Sequence, residues 1–92
     1  MQKIERIELK LSTEWTLCLP EGSRVVKVDI VNSKPYMWVI SDTDEKNRRL
    51  EEWLFYLAID GENKLIPSGF RYTGTYIMDY GTFIGHLFSK KS

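Results

Sequence analysis

Apolar and polar residues alternate along most of this chain, which is the pattern of β-strands with one face buried and one face in water. Over residues 7–11 the odd-numbered positions are apolar and the even-numbered positions are charged. The alternation resumes over residues 15–19 and stops at the Pro-Glu-Gly sequence of residues 20–22. These two segments predict two strands joined as a hairpin.

A third strand is predicted for residues 24–31, with Val26, Val28 and Ile30 on its buried face. The next four residues, 32–35, are of the types that form turns. The chain is therefore expected to reverse there and to continue as a further strand.

Every position from Tyr36 to Ile40 is apolar, as in a strand that is covered on both faces. We therefore expect this strand to be central and Trp38 to lie in the core. On that interpretation, replacing Trp38 by alanine should cost ~3–5 kcal/mol of stability.

The segment 43–58 is ambiguous. Residues 42–49 are mostly charged and predict a solvated loop or the start of a helix. From residue 50 onwards the apolar positions fit helical spacing slightly better than strand alternation, with Asp42 or Thr43 as the cap. The aromatic residues at 53–56 favour a strand instead, because rings pack well on a pleated sheet.

The last third of the chain predicts further short strands and turns. Turns are expected at 60–61, 68–69 and 79–81, and a strand over 70–78 should be broken or bulged near Gly74. The fold class is therefore mainly β: a small antiparallel sandwich or barrel of about six to eight short strands, with one short helix in 43–58 as the alternative.

Length and composition limit the function classes. With 92 residues, a single domain over residues 1–92 is expected. Thirteen Lys and Arg balance thirteen Asp and Glu, so no general attraction to nucleic acid is expected.

The single cysteine excludes an intramolecular disulfide and favours a reducing cytosol. The longest apolar run is far shorter than the ~20 residues that cross a bilayer, so no membrane segment is expected.

Several of these segments together resemble a family of short, uncharacterised bacteriophage proteins. The resemblance lies in the Pro-x-Gly turn and valine-rich strand of residues 19–28 and in the apolar-Trp-apolar strand of residues 34–40. It continues in the aromatic-x-Gly-Thr step of residues 72–75 and in the closing strand of residues 83–88. The resemblance implies a phage origin, a β-rich fold and a strand over residues 50–59, and it implies no activity.

The sequence contains no motif that names a reaction. His86 is the only histidine, which excludes a two-histidine site within one chain. We expect it to be a structural histidine whose ring donates a hydrogen bond to a backbone carbonyl. The alternative is a histidine that contacts a ligand. Cys18 has no basic neighbour in sequence to activate it. No enzyme activity, cofactor or metal is therefore predicted.

The aromatic residues exceed what so small a core can hold, and rings beside arginines are typical of protein contacts. Six rings are expected to be partly exposed: Tyr36, Trp53, Tyr56, Tyr72, Tyr76 and Tyr80. The predicted partner-binding residues are Arg48, Arg49, Trp53, Tyr56 and Tyr80.

The first function hypothesis is a non-enzymatic phage protein that occludes a host protein, such as an antiviral defence protein, in the cytoplasm of the infected bacterium. The second is a homo-oligomer that binds or sequesters a small nucleotide-like ligand through Arg71, Tyr72 and His86. The third is a virion or assembly component.

Overall fold

The computed structural model describes residues 1–42 and 49–92. Within them the chain forms seven β-strands and one short 3₁₀ turn, and no other helix. The strands are β1 (Gln2–Glu8), β2 (Glu14–Pro20), β3 (Arg24–Val31), β4 (Lys34–Asp42), β5 (Leu50–Ile59), β6 (Arg71–Met78) and β7 (Phe83–Lys91), and the 3₁₀ turn is Asp79–Gly81. No helix in the described part is long and apolar enough to cross a membrane.

The strands form two antiparallel sheets that pack as an open sandwich. Sheet A has three strands in the order β1-β4-β3, and sheet B has four in the order β2-β5-β7-β6. Strands β3 and β6 approach each other closely but belong to different sheets, so the sandwich is not closed into a barrel. The predicted mainly β class and strand number are confirmed.

The ambiguous segment after residue 49 is a strand. Leu50–Ile59 forms β5, which pairs with both β2 and β7, so the helical alternative is wrong for residues 50–58. Residues 43–48 of that alternative lie outside the described residues. Two neighbouring strands supply ladder partners along β5, and this tertiary pairing outweighs the local helical spacing.

The predicted hairpin between residues 7–11 and 15–19 is wrong. Strand β1 pairs with β4 in sheet A, whereas β2 pairs with β5 in sheet B. The chain crosses from one sheet to the other between them, and Leu9 N–H donates to Pro35 O over 2.9 Å. The alternation predicts one buried face for each of the two segments, and the apolar faces of both segments do point into the same core.

The hairpin of β3 and β4 is confirmed. Its turn consists of Asn32 and Ser33, both with positive φ (50° and 64°), as a type I′ turn requires. A bulge between Val25 and Lys27 shifts the register. Val25 therefore packs against the core while Val26 is exposed, which corrects the predicted inward position of Val26.

The core lies between the sheets and contains one buried set of side chains. They are Leu9, Trp15, Leu19, Met37, Val39, Phe55, Leu57, Tyr76 and Leu87. Trp15 stacks on Phe55 with ring centroids 4.3 Å apart. Trp38 is absent from this set: β4 is central in its sheet, but only one of its faces is covered, and Trp38 points outward.

Candidate functional site

A cationic groove lies at the end of the sandwich where β5 and β6 begin and β7 ends. The inward face of sheet B there pairs Trp53 with Lys91 and Arg71 with Ser89. The groove has a volume of about 430 Å³ and is lined by Trp53, Gly69, Arg71, Ser89, Lys90 and Lys91. It combines three cations with one aromatic ring.

Two of the cations are held in place by their neighbours. Lys91 Nζ lies 5.6 Å from the centroid of the Trp53 ring and 3.5 Å from a carboxylate oxygen of Glu51. Lys90 Nζ lies 5.0 Å from the centroid of the Phe70 ring and donates to Ser68 O over 3.4 Å. The turn before β6 therefore positions Lys90 at the rim of the groove.

The third cation and the indole N–H have no partners among the described residues. Arg71 is exposed, and none of the described acidic residues forms an ion pair with its guanidinium. Trp53 Nε1 is buried and makes no hydrogen bond within the described part of the chain. A buried donor without an acceptor is costly, and the exposed guanidinium of Arg71 is open to solvent, so Trp53 Nε1 and Arg71 are the two groups suited to an acceptor-rich ligand.

The structure separates the three residues predicted to bind a ligand. Arg71 pairs with Ser89 on the inward face of sheet B, whereas Tyr72 and His86 lie on the outer face. A bulge between Tyr72 and Gly74 shifts the alternation of β6, as expected near Gly74. It places Tyr72 and Thr75 on the same face.

A hydrogen-bonded chain on the outer face connects Tyr72, Thr75, His86 and Asp60. Tyr72 Oη lies 2.7 Å from Thr75 Oγ1, and Thr75 Oγ1 lies 3.1 Å from His86 Nδ1. His86 Nε2 lies 3.1 Å from Asp60 Oδ1. One proton arrangement satisfies every atom: Tyr72 donates to Thr75, Thr75 to His86, and His86 to Asp60.

This chain of contacts corrects the expected partner of His86, whose ring nitrogens bond to side chains and not to a backbone carbonyl. Carboxylate, imidazole and hydroxyl follow each other in the order of a nucleophilic triad. Here the hydroxyl of Thr75 is also bonded to Tyr72. The arrangement fixes the His86 ring and ties Asp60, at the end of β5, to β7.

The predicted partner-binding residues are spread over the molecule. Arg48 lies outside the described residues, and Arg49 is exposed just before β5. Trp53 lines the cationic groove. Tyr56 is buried against Phe70, and Tyr80 is fully exposed at the opposite end of the sandwich.

Of the six rings expected to be partly exposed, Tyr56 and Tyr76 are buried. Tyr36, Trp53, Tyr72 and Tyr80 are half-buried or exposed. The rings of Tyr56 and Tyr76 lie on opposite faces of sheet B, so each face of this sheet contains a buried tyrosine.

Sequence reasoning missed Lys90 and Lys91, which belong to β7 and not to a solvated tail. The sequence pattern carried no signal for this, because Ser89, Lys90 and Lys91 are all polar. No group of three or more His, Cys, Asp or Glu side chains that could hold a metal ion occurs in residues 1–42 and 49–92.

The model of one protein family, described as a domain of unknown function (DUF7352), matches residues 1–92, the whole of the sequence. No curated protein and no solved structure matches the chain.

Proposed function

The chain belongs to the DUF7352 family, and from its geometry we propose that it is a non-enzymatic protein that binds a small anionic ligand of the nucleotide class. The observation that carries this proposal is a groove lined by Arg71, Lys90, Lys91 and Trp53, in which the Lys91 ammonium lies 5.6 Å from the centroid of the Trp53 ring.

Charge supports an anionic ligand. The whole chain has no net charge, yet the groove gathers three cations, and Glu51 is the acidic residue that pairs with one of them. Arg71 is the group best suited to a phosphate, because a guanidinium binds phosphate oxygens through two parallel hydrogen bonds.

Shape and chemistry support a planar ring on the same ligand. The volume of about 430 Å³ lies within the usual range of small-molecule sites. The indole of Trp53 lines the groove with Lys91 Nζ 5.6 Å from its centroid, so a planar ring would stack on the indole in place of that ammonium. Its Nε1–H lacks an acceptor within the described residues. A base stacked on an aromatic side chain contributes ~1–3 kcal/mol to binding.

The test is calorimetric titration with adenosine monophosphate, adenosine and inorganic phosphate as separate probes. We expect the monophosphate to bind more tightly than either of its parts. Arg71→Ala should weaken its binding about tenfold or more, since hydrogen bonds to charged groups contribute ~1.5–3 kcal/mol. Lys10→Ala removes an exposed cation outside the groove and is the matched control.

Equal binding by the Arg71→Ala and Lys10→Ala variants would place the ligand elsewhere. Absence of binding by all three probes at millimolar concentration would refute the nucleotide class.

A second candidate function is the occlusion of a host protein, on the phage origin that the resemblance implies. The observation in its favour is Tyr80, which is fully exposed on a turn whose three residues all have positive φ. An exposed tyrosine on a well-defined turn is a typical anchor at protein interfaces. A bound host protein should be retained by the wild type and by Lys10→Ala and lost with Tyr80→Ala, whereas retention by Tyr80→Ala would exclude this anchor.

A further inference from the structure

The outer face of sheet A is an aromatic surface that no other part of the described chain covers. Tyr36, Trp38 and Ile40 point outward from the central strand β4 and are half-buried. Ile4, on β1, pairs with Ile40 and is 60% exposed. Large apolar side chains in the middle of a sheet face are more often covered than solvated.

Four charges in the middle of this face are arranged in two rows across the strands, and two more cations, Arg24 and Lys34, lie beyond these rows. In one row Trp38 lies between Arg6 on β1 and Lys27 on β3. In the next row, two residues along β4, Tyr36 lies between two acids, Glu8 on β1 and Asp29 on β3. A tryptophan flanked by cations is thus followed by a tyrosine flanked by carboxylates.

Contacts within the chain satisfy only part of these charges. Lys27 Nζ lies 3.4 Å from Asp29 Oδ2, and the Arg6 guanidinium lies 4.4 Å from the centroid of the Tyr36 ring. A hydrogen bond from Ile30 N–H and the neighbouring Lys27 hold the pKa of Asp29 below its ordinary value. Glu8 has no ion-pair partner among the described residues.

We propose that a second copy of this chain covers the outer face of sheet A, related by a two-fold axis that runs across the strands between the two rows. This axis places Arg6 opposite Glu8 of the partner subunit and Trp38 opposite Tyr36 of the partner subunit. Lys27 then lies opposite Asp29 of the partner subunit.

The alternative axis, parallel to the strands, is disfavoured by the same charges. It would place Arg6 opposite Lys27 of the partner subunit, and like charges across an interface are strongly unfavourable. Of these two orientations, only the axis across the strands makes the two rows complementary to those of a second copy. That property also favours a second copy over an unrelated acidic or basic protein, because the two rows cancel each other's charge.

The size of the face sets the expected strength. At ~3.4 Å per residue and ~4.8 Å between strands, the face measures roughly 30 Å by 15 Å, or on the order of 500 Å² per copy. A standard interface buries about 800 Å² per partner. We therefore expect a weak dimer in the micromolar range. It involves none of the groove residues and is independent of the proposed ligand.

Charge exchange on β1 gives a direct test by sedimentation velocity over ~1–500 µM, a range chosen to bracket micromolar dissociation. Arg6→Glu and Glu8→Arg should each raise the dissociation constant about tenfold or more, because each places like charges together. The double variant Arg6→Glu/Glu8→Arg restores opposite charges across the axis and should return to within about threefold of the wild type.

A matched pair on the other face of the same strand is the control. Lys3 and Glu5 form an ion pair over 3.1 Å and pair with Ser41 and Val39 of β4, so Lys3→Glu and Glu5→Arg should leave the dissociation constant unchanged. Circular dichroism verifies that each variant is folded. A wild type that is monomeric throughout the range, or a folded double variant that dimerises no better than the single variants, would overturn the proposal.

Discussion

Val28 occupies the space that a side chain at position 74 would need. A Cβ atom built on Gly74 would lie 2.6 Å from Val28 Cβ and 2.6 Å from its Cγ2. The contact joins β3 of sheet A to β6 of sheet B, where the two sheets approach most closely without sharing a ladder. The absence of a side chain at Gly74 is thus what permits β3 and β6 to approach each other at this side of the sandwich.

Gly74→Ala should destabilise the protein by ~1–3 kcal/mol, because the added methyl group overlaps a packed side chain. The measurement is urea unfolding at equilibrium. Val28→Gly in the same chain removes both contacting atoms, Cβ and Cγ2, and makes room for the methyl group, so the two changes together should cost less than the sum of their separate effects.

Gly61 provides the comparison for that prediction. Its φ is +88° and no atom of the described residues lies within 4 Å of an added Cβ, so Gly61→Ala should cost ~1 kcal/mol through backbone strain alone. Val28→Gly should not reduce that cost. Additive effects at Gly74 and Val28 would mean that the two sheets do not meet at this contact.

The burial of Tyr76 should make the protein less stable at alkaline pH. Its side chain is 2% exposed, its hydroxyl has no hydrogen-bond partner in the described chain, and burial raises its pKa above the ordinary value of 10.0. Ionisation is therefore easier in the unfolded chain. The contribution of neutral Tyr76 to the free energy of unfolding is complete below pH 10. It is lost as the pH rises through the higher pKa of Tyr76 in the folded state.

Tyr76→Phe should remove this dependence and should be neutral or stabilising by ~1 kcal/mol at pH 7, since it deletes an unsatisfied buried hydroxyl. Unfolding by urea at pH 7 and pH 10.5 compares the two proteins. If Tyr76→Phe is clearly destabilised at pH 7, the hydroxyl has a partner and the assignment of its environment is wrong.

Trp15 and Trp38 should differ in their contribution to stability. Trp15 is buried and stacked on Phe55, so Trp15→Ala should cost ~3–5 kcal/mol. Trp38 is half-buried on the outer face of sheet A, and Trp38→Ala should cost ~1–2 kcal/mol, since only part of its surface is removed from water. Denaturant unfolding of dilute protein measures both, and equal costs would place Trp38 in the core after all.

Local pairing could be predicted from the sequence, and distant pairing could not. The β3–β4 hairpin follows from turn chemistry at Asn32 and Ser33. The partners of β1 and β2 are far away in the chain, and alternation shows which face of a strand is buried without showing which strand lies beside it. The hairpin expected between β1 and β2 failed for this reason.

The site was predictable to a similar extent. Residue type alone pointed to Arg71 and Trp53, which the fold does bring together in one groove. Within one chain Arg71 lies on the opposite face from Tyr72 and His86, because neighbouring residues of a strand face opposite sides and the bulge after Tyr72 shifts the alternation again. A bulge is a property of two strands, so a single strand's sequence indicates its position only loosely.

Strand β1 is the strand with the least buried surface. Its residues are exposed except for Ile7, and its ladder runs along β4 alone. A segment with so little buried apolar surface opens locally at low free-energy cost, so its amide hydrogens should exchange with solvent faster than those of β5 or β7. Because Arg6 and Glu8 belong to β1, association of two copies would slow this exchange, and amide protection in β1 would rise with protein concentration.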